Sequence, residues 1–145
     1  MVEPALFLTD VADDEAYRIV NEGIADHAAE QAGYWDALPL YVLARDPSNE
    51  RILGGVIGRT SLGLMFIELF YLPPELRNRG IGTRMLHMAE EEAVRRGCRA
   101  AVLYTISFQA PVFYERRGWR EFGRIACHPT GTSRIFVTKD LARAE

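Results

Sequence analysis

The sequence predicts an α+β fold, a mixed sheet with helices packed on it, and three observations carry that expectation. Apolar runs of strand length alternate with stretches of helical period, in the order β-α-β-β-β-α-β-α-β-β. The run Leu62–Leu72 is nearly continuous in apolar residues, as a central strand would be, and Pro73-Pro74 stops it. The 145 residues, 48% apolar and 26% charged, suit one soluble domain large enough to need no disulfide or metal staple.

Taken in order, Ala5–Thr9 is a short first strand. Asp13 or Asp14 caps a helix running to about Gln31, with Tyr17, Val20, Ile24 and Ala28 at helical spacing and Gly33 at its end. Tyr34–Pro39 forms an aromatic-bearing loop. Leu40–Arg45 alternates into a strand, and Asp46-Pro47-Ser48-Asn49 turns the chain. Ile52–Arg59 is the next strand, where Gly54-Gly55 marks a bulge or a close backbone approach. The long strand Leu62–Leu72 follows. A helix from about Gly80 to Arg96 carries Ile81, Met85, Met88, Ala89 and Ala93 on one side, and Gly97 ends it. Arg99–Ile106 is a strand, and Pro111 opens a helix through Arg116 that Gly118 terminates. Trp119–Ala126 and Ser133–Thr138 close the chain as an antiparallel pair.

Composition narrows the function classes. A formal charge of −3 argues against nucleic acid as the partner and mildly favours a cationic one. Cys98 and Cys127 are too few for a disulfide framework, and no metal-ligand spacing surrounds them, so no metal is expected. Neither an export signal nor an apolar stretch of about 18 residues is present, which points to a cytoplasmic protein without membrane association. His27, His87 and His128 stand singly, as surface residues do.

Chemistry concentrates in Arg77-Asn78-Arg79-Gly80-Ile81-Gly82-Thr83, where a buried strand gives way to a helix. A glycine-rich helix start exposes unpaired N–H groups and the positive end of the helix dipole, which together hold phosphate oxygens. Arg77 and Arg79 add charge-assisted donors and Thr83 a hydroxyl. Two glycines alone would fit a plain tight turn equally well. The adjacent arginine pair, and the cost of about 0.5–1 kcal/mol for glycine in a helix, favour a ligand. A dinucleotide fingerprint fails because Met85 occupies the third glycine position, and the Gly-Lys-Ser/Thr ending of a P-loop is missing.

The pattern Arg77-x-x-Gly80-x-Gly82 after an apolar strand resembles the pyrophosphate loop of the GNAT N-acetyltransferase superfamily. The segment Phe108-Gln109-Ala110-Pro111-Val112-Phe113-Tyr114-Glu115-Arg116-Arg117-Gly118-Trp119 resembles its late helix and following strand. The element order matches that superfamily along nearly the whole chain. The resemblance implies one N-acetyltransferase domain over residues 1–145, with the acyl-CoA N-acyltransferase fold. In that fold a mostly antiparallel sheet of six to seven strands is splayed in the middle and flanked by helices. It implies transfer from acetyl-CoA to a small-molecule or peptide amine in a ternary complex, with CoA as product, and a homodimer.

Site roles follow from the same resemblance. Arg77, Asn78, Arg79, Gly80, Ile81, Gly82 and Thr83 would hold the pyrophosphate. Phe70, Tyr71 and Leu72 would pair with the pantetheine arm, and Gln109 and Phe113 would line the slot's far side. Tyr114 matches the tyrosine near the cofactor sulfur and is the candidate acid, against a role in packing its ring on the sheet. Glu68, the one acidic residue in Leu62–Leu72, is the candidate base, its pKa raised by desolvation; an outward-facing or salt-bridged carboxylate is the alternative. Tyr34, Trp35 and Asp36 lie in the loop that borders the acceptor pocket in relatives, although a Trp packed on the core fits that loop as well. Close relatives often have Pro-x-Gly-His where this chain has Pro129-Thr130-Gly131-Thr132, which removes one guide to the acceptor. Besides an active enzyme, two readings compete. One is a catalytically silent acyl-CoA sensor, disfavoured by the intact loop and Tyr114. The other is a toxin acting on charged tRNA through Arg95, Arg96 and Arg99, disfavoured by the net charge.

Overall fold

Asp13 starts the first helix of the computed structural model, which describes residues 2–141. Its carboxylate accepts the N–H groups of Glu15 at 2.9 Å and Ala16 at 3.2 Å, satisfying two of the donors a helix start leaves open. The helix, α1 (Asp14–Ala32), ends at Gly33, whose φ of 88° only glycine adopts readily. The chain divides into two compact units, residues 1–35 and 36–145, and α1 belongs to the first. Ala5–Thr9 forms no strand. Alternation supplies strand propensity, but a strand exists only through a ladder, and this segment is not among the six that pair.

The second unit is built on a six-stranded sheet in the order β1-β2-β3-β4-β6-β5. In sequence these are β1 (Leu38–Arg45), β2 (Ile52–Ser61), β3 (Leu64–Tyr71), β4 (Ala100–Ile106), β5 (Arg120–Ala126) and β6 (Ser133–Asp140). All pairs are antiparallel except β3 with β4. The single long strand expected over Leu62–Leu72 begins two residues late. Leu62 and Gly63 take φ of 48° and 81°, making the two-residue hairpin turn between Ser61 and Leu64. The sequence hides this turn because leucine stands where Asn or Gly is usual. Asp36 supports it by accepting the Leu62 N–H at 2.8 Å.

One face of the sheet forms the core. Leu40, Val42, Val56, Met65, Ile67, Ala101, Leu103, Ile135 and Val137 are buried together with Met85, Leu86, Ala89 and Ala93 of α2 (Ile81–Arg95). The apolar stripe of α2 thus runs through Leu86, while Met88, expected on it, is exposed. Close strand approach explains the glycines of β2. A Cβ on Gly58 would stand 2.4 Å from the Phe66 carbonyl oxygen, and one on Gly54 2.4 Å from that of Tyr71. The register slips between Ile57 and Gly58, which face Leu69 and Ile67 and leave Glu68 as the extra residue of a bulge. The short α3 (Pro111–Glu115) joins β4 to β5, and Gly118 ends that connection at φ 92°.

Two polar side chains, Arg96 and Glu90, tie α2 to the rest of the unit. Arg96 donates to the carbonyls of Leu38 and Pro39 at 3.2 and 3.0 Å and to the Thr60 hydroxyl at 3.1 Å. Buried Glu90 accepts from Lys139 Nζ at 2.7 Å and from Trp119 Nε1 at 3.3 Å. Replacing Lys139 by Met would leave a buried carboxylate unpaired, which costs roughly 3–5 kcal/mol. Urea denaturation of Lys139→Met should show that loss, and Glu90→Gln with Lys139→Met together should recover part of it.

Candidate active site

The parallel pairing of β3 with β4 covers only Leu64↔Ala100, Met65↔Ala101 and Phe66↔Val102. Beyond it the two strands part, so the central sheet is splayed as the resemblance implied. A narrow cavity of about 240 Å³ opens there between Ile67–Phe70 and Leu103–Ile106, with Gln109 and Tyr114 also lining it. It is one of three neighbouring cavities that share Phe70 and Tyr114. A second, of about 410 Å³, is bordered by Tyr71, Leu72, Arg77, Thr105, Phe108 and Gln109. The third, of about 390 Å³, reaches the start of α2 and touches Asn78, Gly80, Gly82, Thr83, Phe113 and Arg117.

Local sequence dictates the helix start. Pro73-Pro74 ends β3 and opens a single 3-10 turn, Pro74–Leu76, and Asn78 and Gly80 then adopt φ of 59° and 79°. Gly80 caps α2 without a side chain, so no capping group occupies the first-turn N–H groups. Gly80 is required by its backbone conformation. Gly82 has a different reason: a Cβ there would lie 3.6 Å from both Leu72 Cδ1 and Phe113 Cζ, two residues that line the cavity. That contact is sterically ordinary, so bare backbone at Gly82 serves the space and not the fold.

Arg77 lines the cavity, with Nε donating to the Leu72 carbonyl at 2.8 Å and its guanidinium 5.9 Å from the Tyr71 ring centre. Arg79 is exposed and donates to the Glu75 carbonyl at 3.4 Å, and Ile81 packs against the core; neither lines these three cavities. Gln109 is held by its own turn, where its Oε1 accepts from the Ile106 N–H at 3.1 Å and the Thr105 hydroxyl at 3.3 Å.

Tyr114 is buried at the junction of the three cavities, in edge-to-face contact with Phe70, Phe113 and Trp119. Burial pushes its phenol up to about 12. No hydrogen bond within the described residues engages its hydroxyl, and none of the fully buried side-chain polar atoms there lacks a partner, so the hydroxyl is open to the cavity. The ring packs while the hydroxyl faces the cavity. Glu68 lines the narrow cavity but is exposed. The desolvated carboxylate expected from its apolar neighbours is not found, because the bulge turns the side chain out of the buried face.

Asp36 is committed to the Leu62 turn, at the end of β3 opposite to Tyr71. Seven residues of strand separate these ends, on the order of 20 Å. Tyr34 and Trp35 belong to the first unit. Thr132 is buried in the hairpin between β5 and β6. That hairpin lies at the splayed end of β4, since Ser107 N–H donates to the Ser133 carbonyl at 2.9 Å. Arg117 belongs to no anion-binding motif, and its position four residues after Phe113 is its one signal in the sequence. Among the described residues, no group of His, Cys, Asp and Glu could hold a metal ion, and no helix is long and apolar enough to cross a membrane.

The sequence profile of the acetyltransferase (GNAT) family matches residues 8–119. Acetyltransferase Atu2258 of Agrobacterium fabrum is 33% identical over 132 residues, covering 91% of this chain and 96% of its own. Blasticidin-S acetyltransferase of Streptomyces morookaense is 32% identical over 109 residues, covering 73% of this chain and 80% of its own. A crystal structure from Agrobacterium tumefaciens superposes with a TM-score of 0.85 at 31% identity, covering 94% of this chain and 99% of that one.

The Tyr114 environment generates a stability prediction. An unfolded tyrosine ionises near 10 and the folded one near 12, so the contribution is complete below about pH 10 and is lost as pH climbs towards 12. Two pKa units correspond to on the order of 2–3 kcal/mol. The stability difference between the wild type and Tyr114→Phe, measured by urea denaturation, should be constant from pH 7 to 9 and shift in favour of Phe above pH 10. A flat difference across the whole range would show that the phenol is not held in its neutral form by burial.

Proposed function

We propose, for a chain that belongs to the acetyltransferase (GNAT) family and is an acetyltransferase, that it moves the acetyl group of acetyl-CoA to a primary amine. The transfer is direct attack in a ternary complex. The observation that carries the proposal is the continuity of the groove, from the uncapped start of α2 to the splay where β3 and β4 part. Residues present along it suit the parts of that donor. Free N–H groups at α2, the helix dipole and Arg77 suit a pyrophosphate, with Asn78, Gly80, Gly82 and Thr83 around it. The unpaired edges of the splay suit an amide-rich arm that adds like a strand beside Phe70, Tyr71 and Leu72, with Gln109 and Phe113 across from them. When bound, acetyl-CoA supplies the activated thioester carbonyl.

The chain's own groups then divide the proton work. Tyr114 presents a protonated phenol to the leaving sulfur. Full transfer from a group near 12 to a thiol near 8.5 is uphill by about 5 kcal/mol. Its main contribution is therefore a hydrogen bond that strengthens as charge develops on sulfur. Glu68, exposed on the bulge in the narrow cavity, accepts the proton of the amine directly or through water. A lysine-like amine at pH 7 is neutral in only about one molecule in a thousand, so such an acceptor is needed.

A small-molecule acceptor is favoured, because one relative of this chain is named for acetylating blasticidin S. The resemblance alone also suggests a single cytoplasmic catalytic domain acting as a homodimer, which sedimentation equilibrium would check through the particle mass.

Calorimetry should show acetyl-CoA binding to the wild type, and its absence at millimolar ligand would remove the proposal. Gly82→Ala should melt no lower than wild type, since alanine gains about 0.5–1 kcal/mol in a helix, yet bind acetyl-CoA more weakly. Tyr114→Phe should lower kcat by roughly tenfold or more while leaving acetyl-CoA affinity within about threefold. An unchanged kcat would return Tyr114 to packing alone.

A further inference from the structure

We infer that Arg117, at the end of the α3 connection, binds a phosphate of the donor together with the hydroxyl of Thr83. This rests on the acetyl-CoA reading above and adds a contact from the turn after α3 to the site. The guanidinium is held in one plane by three contacts. Nε donates to Thr83 Oγ1 at 2.8 Å, Nη1 donates to the Phe113 carbonyl at 2.8 Å, and the group stacks 3.9 Å from the Phe113 ring centre. Five N–H donors are available and these bonds use two. The remaining three belong to a half-buried cation that lines the cavity at the start of α2.

That cation has no counter-ion among the described residues. Among the described residues, Glu22, Glu50, Glu92, Asp140, Glu121 and Glu90 take part in ion pairs, and none of them pairs with Arg117. Arg77, across the same cavity, pairs with no carboxylate of the described residues either, and no acidic residue lines that cavity. Two arginines at one helix start, without a carboxylate between them, repel each other unless an anion joins them. A purely structural Arg117, tying α3 to α2, would need its two used donors and no net charge.

Thr83 fits the same role. Its oxygen accepts from Arg117, so its own O–H is free to donate elsewhere, and it is the third residue of α2, beside Gly82. A phosphate oxygen placed there meets a hydroxyl, a guanidinium fork and the helix dipole together.

The test is calorimetric titration of wild type and Arg117→Met with acetyl-CoA, its 3′-dephospho form and S-acetylpantetheine. Met keeps an apolar stem on Phe113 and removes the charge. Arg117→Met should bind acetyl-CoA roughly ten- to a hundredfold more weakly and S-acetylpantetheine as the wild type does. A loss that persists with the 3′-dephospho ligand assigns the contact to the pyrophosphate; one that disappears assigns it to the 3′-phosphate. Unchanged acetyl-CoA affinity, or an equal loss with S-acetylpantetheine, overturns the inference. Wild type that fails to bind acetyl-CoA sinks the cofactor reading as well, whereas wild-type binding with an indifferent variant sinks this inference alone. Arg117→Gln, which keeps a donor for the Phe113 carbonyl, carries the same test should the methionine variant not fold.

Discussion

The short parallel contact between β3 and β4 is the constraint on which the rest of the second unit depends. Three residue pairs hold the two halves of the sheet together, and everything beyond Phe66 and Val102 is free to diverge. Each strand keeps its outer partner, β2 for β3 and β6 for β4, so parting at the centre costs few ladder bonds. The gap exposes backbone edges in the middle of a sheet. Unpaired edges are ordinarily a liability. Here they are narrow, flanked by aromatic rings and continuous with a helix start, which gives the chain a slot with polar walls and an apolar floor.

Helix α2 completes that slot because of where β3 ends. Two prolines halt the strand, and two residues with left-handed backbone turn the chain back so that α2 begins at the open end of the sheet. The same helix is fixed along its length by an apolar stripe, by Arg96 at its far end and by the Glu90 contacts. A dipole end is useful to a ligand only if the helix does not move. The glycines at its start do separate jobs, one bending the backbone and one keeping space open.

Much of this was legible in sequence, for physical reasons that differ by element. The helices announced themselves through caps and stops: Asp13, Gly33, Pro111 and Gly118 act locally, so a linear reading finds them. The uncapped start of α2 was legible because its residues come from one short segment. The cavity's other wall was harder. Arg117 stands about 35 residues from that segment, and its orientation depends on a turn after α3. The Leu62-Gly63 turn was missed because a leucine in a left-handed conformation violates the local preference. Asp36, expected in the loop that borders the acceptor pocket, satisfies that unusual turn from 26 residues away, a contact no local pattern reveals. The exposure of Glu68 depended on a one-residue register slip, which no periodicity reveals. Ala5–Thr9 shows the opposite error, strand propensity without a ladder.

The buried contact between Glu90 and Lys139 has a consequence for the chemistry this enzyme lives with. Lys139 is the one lysine in the sequence; the other sixteen of its seventeen basic side chains are arginines. An activated acyl donor acylates free amines indiscriminately, and lysine is the side chain most exposed to that damage, whereas a guanidinium stays protonated and unreactive. The single lysine is mostly covered, and its Nζ donates to the Glu90 carboxylate at 2.7 Å. The described surface therefore presents almost nothing that its own donor can modify. A protein that handles reactive acyl groups is in this way built to be a poor substrate for them.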